Sequence, residues 1–233
     1  MLTPQTLEKI LADWPRDAQA AIAAQKSLTG QVKTENDFGE IKIIAGVDVS
    51  YNIRDNISRA VVVLMRADEL QPIHIARANL PTIFPYVPGL LSFREIPVIL
   101  KAFEKLPAPP DLLMVDGQGI AHPRRLGIAA HLGVLLDIPA IGVAKSRLTG
   151  RHAEPGPNRG DMAPLRDRDE VIGTVLRSKP KTNPLFISPG HRVDMETAVR
   201  ITVECLRGYR LPEPTRIADK LTKSDPAADT VFK

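Results

Sequence analysis

An apolar run that ends on a carboxylate and passes straight into two glycines, Leu112-Leu113-Met114-Val115-Asp116-Gly117-Gln118-Gly119, constrains this chain more than any other stretch. Apolar residues bounded by turn formers read as a buried strand. The strand then ends at Asp116, at the mouth of a sheet and beside bare backbone. A second acidic residue is set in a similar way. Ile41-Lys42-Ile43-Ile44-Ala45-Gly46-Val47-Asp48-Val49-Ser50-Tyr51 is rich in β-formers. Alternation puts Val47, Val49 and Tyr51 on one face, with Gly46, Asp48 and Ser50 on the other. An aspartate flanked by valines needs a partner to offset its desolvation. A buried Lys or Arg supplies that partner, or a metal does; a half-exposed or ion-paired strand aspartate is the plainer alternative.

At 233 residues and 43% hydrophobic content, a single globular domain over residues 1–233 is expected. One cysteine, Cys205, excludes an internal disulfide and fits a reducing compartment; inside a helix, it reads as a buried thiol rather than a nucleophile. The first residues, Met1 to Leu7, lack a charged region followed by an apolar one, and no apolar run approaches the ~18 residues of a membrane span. A cytoplasmic protein without a membrane partner is expected. The net charge of +4 arises late in the chain: residues 1–140 carry 14 Lys and Arg against 15 Asp and Glu, the remainder 17 against 12. An anionic partner on that side would account for it, although a merely soluble surface does so equally well.

Thr3 before Pro4, with Leu7, Ile10, Leu11 and Trp14 at helical spacing, starts an amphipathic helix that breaks at Pro15 and resumes to about Lys26. The strand around Asp48 turns at Asn52 to Asn56 into Ala60 to Met65, and Pro72 to Ala78 reads as a third strand. Sequential strands without helices between them make an antiparallel meander. Pro81 to Gly89 is too rich in proline for regular structure, and Leu91 to Leu106 is helical, ended by Pro107. The strand to Asp116 follows, then a helix from about Leu126 to Leu136 and a strand through Ile138 to Ala144, an order that implies parallel pairing. A helix from about Met195 is capped by Asp194 and stopped by Gly208. The tail after Tyr209, with Pro212, Pro214 and Pro226, is expected to run over the surface, and there is no internal repeat or long linker. Three antiparallel strands followed by helix-linked parallel ones outline a ribonuclease H-like α/β fold, a central mixed sheet flanked by helices. Its first and fourth strands are neighbours, which would bring Asp48 and Asp116 together.

Glu95 lies on the first turns of the helix before the fourth strand and can reach the same sheet edge, with an exposed helix carboxylate as the plainer reading. Hard oxygen ligands without clustered His or Cys point to Mg²⁺ or Mn²⁺ rather than zinc. Three carboxylates that leave coordination positions open suit phosphodiester hydrolysis. Lys145, directly after Ile141-Gly142-Val143-Ala144, can hold its ammonium at that edge and stabilise a scissile phosphate, although a plain surface lysine is the commoner fate. His122, beside Arg124 and Arg125, reads as a loop that contacts phosphate or base. His191, just before a helix cap, can approach a phosphate or a metal-bound water, although lone histidines are more often structural. Tyr86, between Pro85 and Pro88, is a rigidly presented aromatic that can stack where a base has left a duplex; packing on the core is the alternative. With 4% aromatic residues, the chain has no platform for single strands.

In this order the motifs resemble endonuclease V, a nuclease family that recognises deaminated adenine. The matching segments are Gly46-Val47-Asp48-Val49-Ser50-Tyr51, Pro85-Tyr86-Val87-Pro88-Gly89 with Leu91-Ser92-Phe93-Arg94-Glu95, and Val115-Asp116-Gly117-Gln118-Gly119 through His122-Pro123-Arg124. They continue in Ile141-Gly142-Val143-Ala144-Lys145-Ser146, Ser188-Pro189-Gly190-His191-Arg192 and Tyr209-Arg210-Leu211-Pro212-Glu213-Pro214-Thr215-Arg216. The resemblance implies that Asp48, Glu95 and Asp116 form a metal centre for Mg²⁺, with Mn²⁺ as a substitute. It implies that Lys145 assists at the phosphate, that His191 is a further active-site contact, and that Pro85, Tyr86, Val87 and Pro88 form a wedge between the strands. Gly89, Leu91, Gly117, His122, Gly127 and Leu148 fall where relatives line the base pocket. The implied reaction cuts the second phosphodiester bond 3′ to inosine in DNA and leaves a 3′-hydroxyl and a 5′-phosphate. Hypoxanthine presents O6 and N1–H and lacks guanine's exocyclic amine, an edge that backbone groups bared by glycine can read. Inosine-containing RNA as the main substrate, and an inosine sensor that does not cut, are the alternatives. No feature demands a dimer, so a monomer is expected.

Overall fold

The structure, a computed structural model, describes residues 4–224; the expected Thr3 cap and Pro226 lie outside them. β1 (Ile43–Asn52) runs antiparallel to β2 (Ile57–Arg66), and β2 to β3 (Pro72–Pro81), the meander that the alternation predicts. β4 (Leu112–Val115) lies parallel beside β1, and β5 (Ala140–Ala144) parallel beside β4. This is the ribonuclease H-like outline. Three further strands extend the sheet beyond β5: β6 (Met162–Asp167), β7 (Glu170–Leu176) and β8 (Leu185–His191), in the order β3-β2-β1-β4-β5-β8-β7-β6. The sequence reading assigned no strands there. Pro164 in β6 and Pro189 in β8 break the usual strand signal.

Helices cover both faces. α1 (Pro4–Ala12), α2 (Ala18–Thr29), α3 (Leu91–Phe103) and α4 (Ile128–Leu136) pack on the face that carries Ala45, Val47, Val62, Leu113 and Val115. α5 (Met195–Glu204) and α6 (Glu213–Thr222) cover the face of Ile44, Val63, Leu112 and Met114. Asp194 caps α5 as expected, its carboxylate accepting from the Thr197 N–H at 2.7 Å. Cys205 is buried, and that burial pushes its thiol up to about 12, which makes it an inert packing group. Among the described residues, no helix is long and apolar enough to cross a membrane.

The stretch after Tyr209 departs from expectation. Rather than a surface run it forms α6, with Ile217, Ala218 and Leu221 buried against the sheet. Its prolines stand at the helix start, where a missing N–H costs nothing and the fixed φ favours the helix. α6 lies on the backbone of β1. A Cβ built on Gly46 would stand 2.0 Å from the Pro214 carbonyl oxygen, so no side chain fits there. Replacing Gly46 with Ala should lift α6 from β1 and destabilise the protein by about 1–3 kcal/mol, the usual range for overpacking. Denaturant unfolding checks this, and an unchanged midpoint would refute the close approach.

Candidate active site

In the parallel ladder Val47 is opposite Val115, so the next residue on each strand is an aspartate. The Asp116 N–H donates to the Val47 carbonyl at 3.0 Å and carries the pairing to the end of β4. Alternation turns Gly46, Asp48 and Ser50 toward α6, and α6 supplies partners. Thr222 Oγ1 donates to Asp48 Oδ2 at 2.7 Å, and Ser50 Oγ donates to the Thr222 carbonyl at 3.0 Å. One turn earlier on the same helix stands Asp219. Asp48, Asp116 and Asp219 each place a carboxylate oxygen within 4.8 Å of the others.

Lys145, directly after β5, reaches into this cluster and pairs with both Asp116 and Asp219. Arg210 holds its backbone, donating from Nη2 to the Lys145 carbonyl at 2.7 Å. Burial works against the ammonium, yet Asp116 and then Asp219 raise its pKa on balance. Burial and the charge of Asp116 hold the Asp48 carboxyl well above the usual carboxylate range, against the pull of Thr222 and Lys145. Glu95, on α3, is pushed up to about 8 by burial and by the charges of Asp48 and Asp116. It is not one of the three in closest contact, but it feels their field. For Asp219 burial is outweighed by Lys145 and Lys223, and its pKa falls. Carboxylates that raise one another's pKa mark a surplus of negative charge, and an all-oxygen donor set suits a hard divalent cation.

A cavity of about 390 Å³ opens directly beside the cluster. Asp116 and Lys145 belong to both. Tyr86, Val87 and Pro88 form part of its wall, and Gly89, Leu91, Gly117, His122, Gly127 and Leu148 all line it. Pro85 does not. Tyr86 is 69% exposed rather than packed on the core. His122 is not a free base reader: its Nε2 meets the Gly89 carbonyl at 2.9 Å and its Nδ1 accepts from the Arg124 N–H at 3.1 Å. Burial and the neighbouring Arg124 and Arg125 lower its pKa to about 4, despite the bond to Gly89, so the ring is neutral. A larger cavity, of about 570 Å³, lies at the opposite end of the sheet beside Asp111 and Pro139, away from the carboxylates.

His191 is the site residue that the fold does not bring in. β8 runs antiparallel to β5 with His191 opposite Ala140, the first residue of β5, whereas Lys145 follows the last. Five residues of strand at about 3.3 Å each separate these ends by roughly 16 Å. His191 is buried, with Nε2 3.3 Å from Asp137 Oδ1 and Nδ1 accepting from the Lys33 N–H. The direction of β8 decides this, and no residue near His191 announces it. Asp219 is the residue that the sequence reading missed. Its signal was the helical spacing of Ile217, Ala218 and Leu221 behind Pro214, which the prolines of the tail obscured.

The profile of the Endonuclease V family matches residues 26–220. Endonuclease V of Azotobacter vinelandii is 52% identical over 209 residues, which cover 90% of this chain and 95% of the relative. The crystal structure of Endonuclease V from Streptomyces avermitilis superposes with a TM-score of 0.85 at 42% identity, over 91% of this chain and 94% of that one. Ciona intestinalis Endonuclease V, solved in complex with a 24mer DNA containing an inosine followed by a ribo-adenosine, superposes with a TM-score of 0.76. It is 28% identical and covers 89% of this chain and 97% of its own. A ribonuclease H-like sheet, a carboxylate cluster where β1 passes the end of β4 and a family match over most of its length agree: this chain belongs to the Endonuclease V family of nucleases.

Proposed function

We propose that this enzyme nicks DNA at deoxyinosine, hydrolysing the second phosphodiester bond on the 3′ side and leaving a 3′-hydroxyl and a 5′-phosphate. The observation that carries this reading is the shared wall between the carboxylate cluster and the cavity behind Tyr86. A cavity of about 390 Å³ is at the small end of ligand sites and suits one extruded nucleotide rather than a stretch of duplex. Tyr86, stiffened by its flanking prolines, enters the stack where that nucleotide leaves. Gln118 also lines the cavity, and its buried Oε1 has no partner among the described residues, an acceptor suited to the N1–H that hypoxanthine has and adenine lacks. The bond to be cut lies beside the pocket, so the base is read but not excised.

Asp48, Asp116 and Asp219 hold the metal in this reading, with Glu95 at their edge, and Mg²⁺ or Mn²⁺ fits their oxygens. Such an ion lowers the pKa of water and neutralises charge as the phosphodiester is displaced. Lys145 stays cationic and presents its charge to the phosphate, while Thr222 orients Asp48. DNA is supported by the inosine-containing DNA held by the Ciona relative; the ribo-adenosine after the inosine in that complex keeps RNA as the second reading. A labelled duplex with one deoxyinosine, incubated with Mg²⁺ or EDTA beside the same site in RNA, separates the two. A Mg²⁺-dependent nick one bond beyond the inosine's own 3′ phosphate in DNA is expected. Cleavage of RNA alone would overturn the DNA assignment.

Replacing Asp48, Asp116 or Asp219 with Asn should lower nicking at least about a hundredfold, the scale of losing a group that organises charge in the transition state, while binding persists. Full cleavage by the Asp48 or Asp116 variant with Mg²⁺ would sink the assignment. Tyr86→Ala should weaken binding to an inosine duplex by roughly tenfold, the cost of one lost stacking contact; equal affinity in a titration would remove the wedge. The carboxyls with raised pKa give a third test. Stability that protonated Asp48 and Glu95 lend is complete below the ordinary carboxylate pKa of about 4 and is lost as pH rises through about 8. In EDTA the melting temperature should therefore fall between pH 5 and pH 8, and Mg²⁺ should restore more of it at pH 8 than at pH 5. A flat profile with no response to Mg²⁺ would contradict a charge-strained metal site.

A further inference from the structure

Gln25 lies on α2, well away from the carboxylates in the chain, and is 0% exposed. Its helix is otherwise built of Ala, Ile and Leu on the inner side, where an apolar residue would pack without the desolvation cost of an amide. Every polar atom of this side chain is engaged. Nε2 donates to the Gly89 carbonyl at 3.0 Å and to the Leu126 carbonyl at 3.1 Å, and Oε1 accepts from Arg124 Nε. The amide orientation is fixed, because carbonyls only accept and the guanidinium only donates.

The Gly89 carbonyl is the focus of the whole group. Arg124 Nη2 donates to it at 2.8 Å. His122 donates to it as well, since its Nδ1 accepts from the Arg124 N–H and the ring proton is therefore on Nε2. Three side chains thus converge on one carbonyl oxygen. Gly89 follows Pro88 directly and has φ +78, and a Cβ there would stand 2.9 Å from Arg124 Nη2. A second tie runs from Thr29, one helical turn past Gln25, whose Oγ1 donates to the Arg124 carbonyl at 2.9 Å. Gly89 ends the proline-stiffened loop that presents Tyr86, and Leu126 precedes Gly127; all three line the cavity.

We propose that Gln25 is a positioning residue: it ties the root of the Tyr86 loop to the Leu126 segment of the cavity wall, and so sets how far the tyrosine projects when a nucleotide enters. The proposal rests on the deoxyinosine reading above. Because Gln25 acts through Gly89 and not on the reacting atoms, its loss should affect substrate capture more than the chemical step.

The test is nicking of a deoxyinosine duplex by the full chain carrying Gln25→Met, Tyr86→Ala, or both. Gln25→Met should raise KM about tenfold, the scale of a lost pair of buried hydrogen bonds, with a smaller fall in kcat. Tyr86→Ala should then cost much less in the Gln25→Met background than alone, since the tyrosine is already misplaced. A merely structural Gln25 would lower the melting temperature and leave the two penalties multiplying. Arg124→Lys, at a half-buried position, keeps the charge but replaces the planar fork, which meets Gln25 through Nε and Gly89 through Nη2, with a single nitrogen. It should reproduce the coupling to Tyr86 even if Gln25→Met fails to fold. Nicking by the unaltered enzyme together with an unchanged KM, or with penalties that multiply in full, would overturn the proposal while leaving the function intact. No nicking by the unaltered enzyme would remove the function and the proposal with it.

Discussion

Repulsion between Asp48, inside β1, and Asp116, just past the end of the adjacent parallel strand β4, organises the rest of this molecule. The register of Val47 against Val115 leaves Asp48 and Asp116 side by side, and both cannot carry full charge in a partly dry site without compensation. Lys145 supplies one positive charge, Thr222 supplies a hydrogen bond, and Asp219 adds a third carboxylate that makes the surplus larger rather than smaller. Lys145 and Lys223 favour the ionised form of Asp219. Three carboxylates at short range are a donor set suited to a hard cation.

The two helical layers divide the work. α6 completes the charge cluster from one face, and its approach depends on the bare backbone of Gly46. From the other face the helices hold the wall of the cavity. Trp14 Nε1 donates to the Phe93 carbonyl at 2.9 Å and its ring stacks on His131, which meets Ser92 Oγ at 3.0 Å; this fixes α3, and with it Glu95. Gln25 and Thr29 on α2 fasten Arg124 and Gly89 in the same way. Buried polar groups that are fully paired leave few alternative arrangements, which suits a cavity whose walls come from distant parts of the chain.

Much of this was legible in the residues. The alternation around Asp48 named the face that α6 covers, and the apolar run to Asp116 named the strand end beside it. Strands first without and then with intervening helices implied that these two strands are neighbours. Lys145 was legible as a lysine directly after a buried strand, whose ammonium can stand at that strand's end beside Asp116. His191 and Asp219 were misjudged for a common reason. Each depended on the direction or the existence of an element whose signal prolines had weakened: β8 with Pro189, and α6 with Pro212 and Pro214. His122 lines the cavity as expected, but with both ring nitrogens committed.

The sequence by itself determined what is local: the strands and helices with clean periodicity, the aspartates that β1 and the end of β4 carry, the stiff loop around Tyr86, and the motifs that mark the family. Periodicity and turn chemistry act within a few residues, so they survive in a one-dimensional reading. Tertiary structure alone decided which groups meet. Asp219 joins Asp48 across 171 positions, Gln25 reaches Gly89 and Leu126, and His191 is carried to the opposite end of the strands by the antiparallel entry of β8. Such meetings are set by packing of buried faces and by strand direction, which belong to the whole fold and to no segment of it.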